Sequence, residues 1–163
     1  MAAEFCADAD RLRHAERVIF PGVGAAGSAM VSVKERGLDE ALREVISNGC
    51  PVLGICLGMQ ISLDHSEEND TSTLGLIEGN VTRFRMDRPD LKVPHMGWNE
   101  VTVRQHHPVL AGIVPGDEFY FVHGYYPTPK DQSAVLATTN YEGDFACAIG
   151  KASYVGTQFH PEK

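Results

Sequence analysis

Apolar and polar positions follow different rhythms in the two halves of the chain. In the first half, short apolar runs alternate with stretches of helical spacing. Residues 10–17 suit a short helix, and Val18-Ile19-Phe20 is a brief strand halted at Pro21. Residues 28–48 read as helical with an interruption near Gly37, and Leu38, Leu42, Val45 and Ile46 share one face. Asn48-Gly49 is a good C-terminal stop. Residues 52–55 form a second apolar strand, and 57–63 return to a helix-like texture. Strands alternating with helices imply a parallel sheet with helices on its faces. From Leu76 onward the texture changes to short β segments at 80–85, 98–103, 118–122, 135–139 and 146–150, separated by Pro and Gly. These are expected to be antiparallel strands packed beside the parallel sheet.

Composition narrows the picture. The 163 residues suit one domain, with no repeat or low-complexity linker. With 14 Lys and Arg against 22 Asp and Glu, the net charge is −8, and no basic stripe points to nucleic acid. No apolar run approaches membrane-spanning length, and the first residues lack the basic and apolar regions of a signal peptide. The four cysteines include no Cys-x-x-Cys pair, which disfavours a zinc site or disulfide framework and fits a reducing cytoplasm. No metal or cofactor is expected. His106-His107 reads as loop, His14 and His65 have no ligand-spaced partners, and the acidic stretch 66–73 reads as solvated surface.

Candidate chemistry gathers at strand ends. Gly54-Ile55-Cys56-Leu57-Gly58 is a strand, a sharp turn and a helix with a thiol at the turn, the counterpart of the Gly-x-Ser-x-Gly elbow. A side chain at either flanking glycine would clash, and the first helical turn offers N–H groups that favour a thiolate. Taken alone, this segment is better explained by a buried cysteine at the end of a core strand. Gly22-Val23-Gly24-Ala25-Ala26-Gly27 has the spacing of a dinucleotide loop, but the next strand ends in Cys56 rather than in an acidic residue. Its better use is to turn a backbone N–H into a site as part of an oxyanion hole. Near the other end, His160-Pro161-Glu162 follows a strand. In extended chain i and i+2 share a side, so Glu162 can orient His160. Cys56, His160 and Glu162 then form a nucleophile, a base and an orienter.

These segments resemble the class I (triad) glutamine amidotransferases, whose elbow reads Gly-x-Cys-x-Gly-x-Gln and whose His-Pro-Glu lies near the C-terminus. Here they are Gly54-Ile-Cys56-Leu-Gly58-Met-Gln60 and His160-Pro161-Glu162. Within the family the resemblance is to the histidine-pathway branch, the glutaminase subunits of imidazole glycerol phosphate synthase. It is carried by Phe20-Pro-Gly-Val-Gly24, Pro94-His-Met-Gly-Trp-Asn99, Tyr120-Phe-Val-His-Gly-Tyr-Tyr126 and Lys163 after Glu162. The resemblance implies an α/β, flavodoxin-like parallel sheet flanked by helices, with added antiparallel strands. It implies that Cys56 attacks the side-chain amide of L-glutamine, His160 moves the protons and Glu162 orients it. Leu57, with Val23 or Gly24, would form the oxyanion hole. Gly22, Gly24, Gln60, His123, Gly124 and Tyr125 would hold the substrate. Ammonia would pass to a (β/α)8 cyclase subunit in a heterodimer, with Met96, Gly97, Trp98, Asn99 and Lys163 at the interface.

The family usually places a serine where Gly124 stands. Its N-terminal strand, Tyr-Gly-x-Gly-Asn segment and helix, and its C-terminal helix, have no counterpart here. The expectation is therefore a single amidotransferase domain over 1–163 without those segments. Two other readings stay open at this stage. One is another triad amidotransferase subunit, serving anthranilate, carbamoyl phosphate or nucleotide synthesis. The other is an inactive binding module.

Overall fold

The computed structural model describes residues 3–85, 87 and 91–163. Helix α1 (Ala9–Arg13) starts at Asp8, whose carboxylate accepts the Arg11 N–H at 2.8 Å. Strand β1 (Val18–Gly22) follows, then α2 (Ala26–Glu35) and α3 (Leu38–Ser47). Gly37 breaks the helical run where the sequence places the interruption, in the left-handed region at φ 64°. Then come β2 (Val52–Cys56) and α4 (Leu57–Gln60), a single turn rather than the longer helix expected.

Strand β1 runs on through Pro21 to Gly22, beyond the stop read from the sequence. It pairs only with β2 among the described residues, and the Val18 N–H donates to Pro51 O at 2.9 Å. Backbone groups alternate in direction along a strand, so the nitrogen of Pro21 faces away from β2 and its missing N–H removes no ladder bond.

The largest sheet combines β1 and β2 with four strands from the second half: β7 (Thr102–Val103), β10 (Val135–Asn140), β11 (Asp144–Lys151) and β12 (Tyr154–Thr157). Its order is β1-β2-β12-β11-β10-β7. The first three strands are parallel, and β11, β10 and β7 continue the same sheet in antiparallel fashion. Part of the expected antiparallel layer is thus an extension of the parallel sheet rather than a neighbour of it. The remaining strands form two smaller sheets. In one, β3 (His65–Ser66), β4 (Thr71–Ser72), β5 (Gly79–Arg83) and β9 (Tyr125–Pro129) lie in the order β4-β3-β5-β9. In the other, β6 (His95–Glu100) pairs antiparallel with β8 (Glu118–His123).

Two apolar clusters lie within this frame. The first joins the helices to the sheet through Leu12, Met30, Leu42, Val45, Met59 and Tyr154. The second is rich in aromatic rings, with Phe84, Phe121, Phe145 and Phe159 at its centre. Together they fix the carboxyl ends of β2 and β12 and the end of β8. No helix among the described residues is long and apolar enough to cross a membrane.

Candidate active site

Cys56 closes β2 and caps α4 with φ 54° and ψ −110°, a strained conformation for a residue with a side chain. The flanking glycines make this turn sterically possible. A Cβ on Gly54 would overlap the Tyr154 hydroxyl, which donates to the Gly58 carbonyl at 3.0 Å. A Cβ on Gly58 would overlap the Phe20 carbonyl oxygen, and one on Gly22 would lie 2.8 Å from the Gly58 nitrogen. Backbone from β1, β2 and α4 therefore meets around the thiol with no room for side chains.

A cavity of about 370 Å³ opens beside the elbow, and both Cys56 and His160 line it. His160 follows β12 and is tied to β8, with its N–H donating to Tyr120 O at 2.9 Å. Its Nδ1 lies 2.7 Å from the Glu162 carboxylate. Donation from Nδ1 leaves Nε2 as the basic nitrogen, and that atom is buried with no hydrogen-bond partner among the described residues. Burial raises the Glu162 pKa, but the His160 hydrogen bond, its own backbone N–H and the His160 and Lys163 charges outweigh this and hold it below the usual carboxylate value.

The resting thiol differs from the thiolate expected at the elbow. Burial pushes the Cys56 pKa up, and the negative charges of Glu162 and Glu68 add to that. The Leu57 N–H and the Gln158 carboxamide pull it down but do not outweigh burial, the largest cause. A neighbouring base is therefore needed to take the thiol proton.

Most of the residues read from the sequence line this cavity: Val23, Gly24, Leu57, Gln60, His123, Gly124 and Tyr125. Gly24 has φ 91°, a conformation that suits glycine, and nothing lies within 4 Å of where its Cβ would be. Gly22 is not among the lining residues; it packs against the elbow. Gln60 is buried and donates to the Tyr125 carbonyl at 2.9 Å and to Gln158 Oε1 at 3.0 Å. Both nitrogens of His123 are committed, Nδ1 to the Tyr125 carbonyl at 2.7 Å and Nε2 to His95 Nδ1 at 3.1 Å.

Of the expected interface residues, Met96 and Trp98 are 62% and 58% exposed, and Lys163 is exposed. Gly97 and Asn99 lie on the opposite, half-buried face of β6, where Asn99 bonds to His95 and Asn140.

Sequence reasoning missed three groups. Glu68 belongs to a stretch whose sequence suits solvated surface, yet a 3-10 turn brings its carboxylate to the cavity wall, where it also accepts the Ala26 N–H at 2.7 Å. Nothing periodic in 66–73 signals this. Gln158 is fully buried and donates to the Cys56 sulfur at 3.7 Å. It precedes His160 by two, so strand alternation was an available signal. His95 is 3% exposed and stacks on Phe121 and Tyr141 at 4.9 and 4.1 Å. No group of side chains among the described residues is arranged to hold a metal ion.

Burial lowers the pKa of His95 to about 4 and of His123 to about 3, so both rings are neutral when folded. The unfolded chain takes up protons below the ordinary histidine value of 6.5 while the folded protein does not. Stability is full above that value and is lost as pH falls towards the folded values. Urea unfolding is expected to show a loss of up to about 1.4 kcal/mol per pH unit for each histidine across this window. A flat profile between neutral pH and the folded pKa values would contradict neutral burial of the pair.

A thiol on a strained strand-to-helix turn, sharing a cavity with a carboxylate-oriented histidine, defines a cysteine-dependent acyl-transfer hydrolase. The family described as glutamine amidotransferase class-I matches residues 5–163. The chain belongs to that family. It is 46% identical over 161 residues to the imidazole glycerol phosphate synthase subunit HisH of Neisseria gonorrhoeae, covering 96% of this chain and 76% of that protein. The HisH subunit of Nitratidesulfovibrio vulgaris is 48% identical over 162 residues, with the same shares covered. Among solved structures, a glutamine amidotransferase crystal structure superposes with a TM-score of 0.70 at 18% identity, covering 99% of this chain and 79% of that one. The acivicin-bound glutaminase domain of Trypanosoma brucei CTPS gives 0.64 at 18% identity, covering 94% and 66%. At such identities these structures establish the fold alone.

Proposed function

We propose that this chain is the glutaminase subunit of an imidazole glycerol phosphate synthase, and that Cys56, His160 and Glu162 carry the hydrolysis of L-glutamine. The observation that carries this reading is Cys56 and the Glu162-paired His160 on one cavity wall, in a chain close to HisH subunits. His160 Nε2 takes the thiol proton as Sγ bonds to the side-chain amide carbon. The N–H of Leu57 and one from Val23 or Gly24 stabilise the oxyanion. His160 then protonates the departing nitrogen, ammonia leaves and a thioester remains. Water, deprotonated by His160, attacks the thioester and releases glutamate, and the proton returns to the sulfur. Glu162 holds the ring and supports its charge at each transfer.

The Glu68 carboxylate suits the α-ammonium of glutamine, and the Tyr125 strand end with Gln60 shapes the rest of the cavity. Ammonia passes to a (β/α)8 cyclase subunit, for which exposed Met96, Trp98 and Lys163 offer a docking face. The chain works in the cytoplasm as one amidotransferase domain. The identity to HisH subunits favours this reading over other triad amidotransferases; the CTPS glutaminase domain matches at 18%.

Glu162→Gln keeps the shape but removes the charge. It is expected to lower kcat roughly 10²-fold with little change in KM, measured as glutamate release. A glutamine-like diazoketone is expected to alkylate Cys56 and no other cysteine, read by peptide mass spectrometry. Labelling elsewhere, or none on a folded chain, would overturn the assignment.

A further inference from the structure

The polar groups behind the cavity form one connected chain whose proton positions are fixed. It begins at Asn99 on β6. Asn99 Oδ1 accepts the Glu100 N–H at 2.9 Å, and Nδ2 donates to Asn140 O at 2.8 Å. This sets the amide orientation, and the second Nδ2 hydrogen faces His95 Nε2 at 3.3 Å. His95 Nε2 is then an acceptor, so the ring proton sits on Nδ1 and is donated to His123 Nε2 at 3.1 Å. His123 is forced into the same tautomer and gives its Nδ1–H to the Tyr125 carbonyl at 2.7 Å. That carbonyl also accepts from Gln60, whose other Nε2 hydrogen goes to Gln158 Oε1. Gln158 Nε2 ends the chain on the Cys56 sulfur at 3.7 Å.

His95, His123, Gln60 and Gln158 are each 5% exposed or less, so the middle of the chain is shielded from water, while its ends at Asn99 and Cys56 are only half-buried. Buried networks of this kind hold each member in one orientation, and a break leaves unpaired polar atoms. The outer end also has a second face. On β6, His95 and Asn99 point inward while Met96 and Trp98 point outward and are largely exposed.

We propose that Asn99, His95 and His123 are positioning residues: they lock the Tyr125 carbonyl, which holds Gln60, and through Gln60 they aim the Gln158 donor at the Cys56 sulfur. Strand β6 is thereby coupled to the nucleophile. The proposal rests on the glutaminase reading of Cys56. Without the lock, the Gln60 carboxamide can rotate, Gln158 loses its fixed acceptor, and an oxygen rather than an N–H can face the sulfur. A thiolate forming during attack then lacks its donor.

Two substitutions separate this role from plain packing. Asn99→Asp is isosteric but accepts where Asn99 donates. It draws the His95 proton to Nε2, sets two acceptors face to face between the rings, and drives the His123 proton away from the Tyr125 carbonyl. His95→Phe keeps the stacked ring and deletes both nitrogens. Ring-nitrogen NMR of the wild-type chain at neutral pH is expected to show both histidines as neutral Nδ1–H tautomers. His123 loses that signature in Asn99→Asp, whereas in His95→Phe the Tyr125 carbonyl keeps the proton on Nδ1 and the His123 Nε2 resonance shifts because its donor is gone. Glutamate release in the presence of the cyclase subunit is expected to fall about tenfold in kcat, the effect of one lost buried hydrogen bond, with KM little changed. The alkylation rate of Cys56 should fall alongside. A wild-type His123 carrying its proton on Nε2, or folded variants with wild-type kcat and alkylation rate, would overturn the proposal. If the wild type releases no glutamate, the glutaminase reading fails separately, and alkylation rates across the three proteins decide the relay.

Discussion

Cys56→Ala is expected to lower glutamate release about 10⁴-fold or more, to the assay background, while the chain stays folded. In the proposed mechanism the hydrolysis proceeds through a bond to the Cys56 sulfur, and no other thiol is placed to substitute. Cys147 is fully buried, Cys50 lies near Ala15 and Pro51, and Cys6 is exposed near the N-terminal helix. None of these three lines the cavity. Alanine fits the Cys56 site and removes only the sulfur, so near-UV circular dichroism and urea midpoint should change little. The strained φ of 54° persists with any side chain, which makes Cys56→Gly the stabilising substitution here. A Cys56→Ala chain that retains glutamate release would place the nucleophile elsewhere.

The second large effect is expected at Gly58. Its missing side chain lets the first turn of α4 lie directly on β1, where a Cβ would overlap the Phe20 carbonyl oxygen. That neighbour is backbone in a paired strand, so it cannot swing aside as a flexible side chain would. Gly58→Ala therefore forces β1 and α4 apart, costing about 3 kcal/mol. It also displaces the Leu57 N–H and the sulfur from their places at the cavity wall. A misplacement of this size at a reacting centre costs about 10²-fold in rate. The expected readout is a lower urea midpoint together with a fall in kcat. A Gly58→Ala chain with wild-type stability would show that the close approach of α4 to β1 has no energetic weight.

The parts of the site that were legible in the sequence are those in which chemistry and backbone constraint coincide. Gly54, Cys56 and Gly58 are such a case, since the glycines are needed for a strained turn and the turn is needed to present the thiol. His160 and Glu162 are another, because alternation in extended chain puts them on one side. The parallel core could be read from apolar strands alternating with helical spacing. What stayed hidden depends on long-range contact. Strand β1 passes through Pro21 because its nitrogen faces away from β2, its one partner strand among the described residues, a fact set by sheet order rather than by local propensity. The aromatic stretch after Phe119 turns at Gly124 into two strands of different sheets, β8 and β9, which its composition does not announce. Glu68 reaches the cavity only because β3 and β4 fold the acidic segment back against α2. The protonation balance at Cys56 is hidden for a related reason: an elbow motif signals helix N–H groups, while the burial that outweighs them comes from the whole fold.

The most direct test is glutamate release from L-glutamine by the wild-type chain, alone and with the cyclase subunit of imidazole glycerol phosphate synthase. The expected result is release that increases when the cyclase subunit is added. A folded chain that binds the cyclase subunit yet releases no glutamate, or a steady release that the cyclase subunit leaves unchanged, would contradict the account.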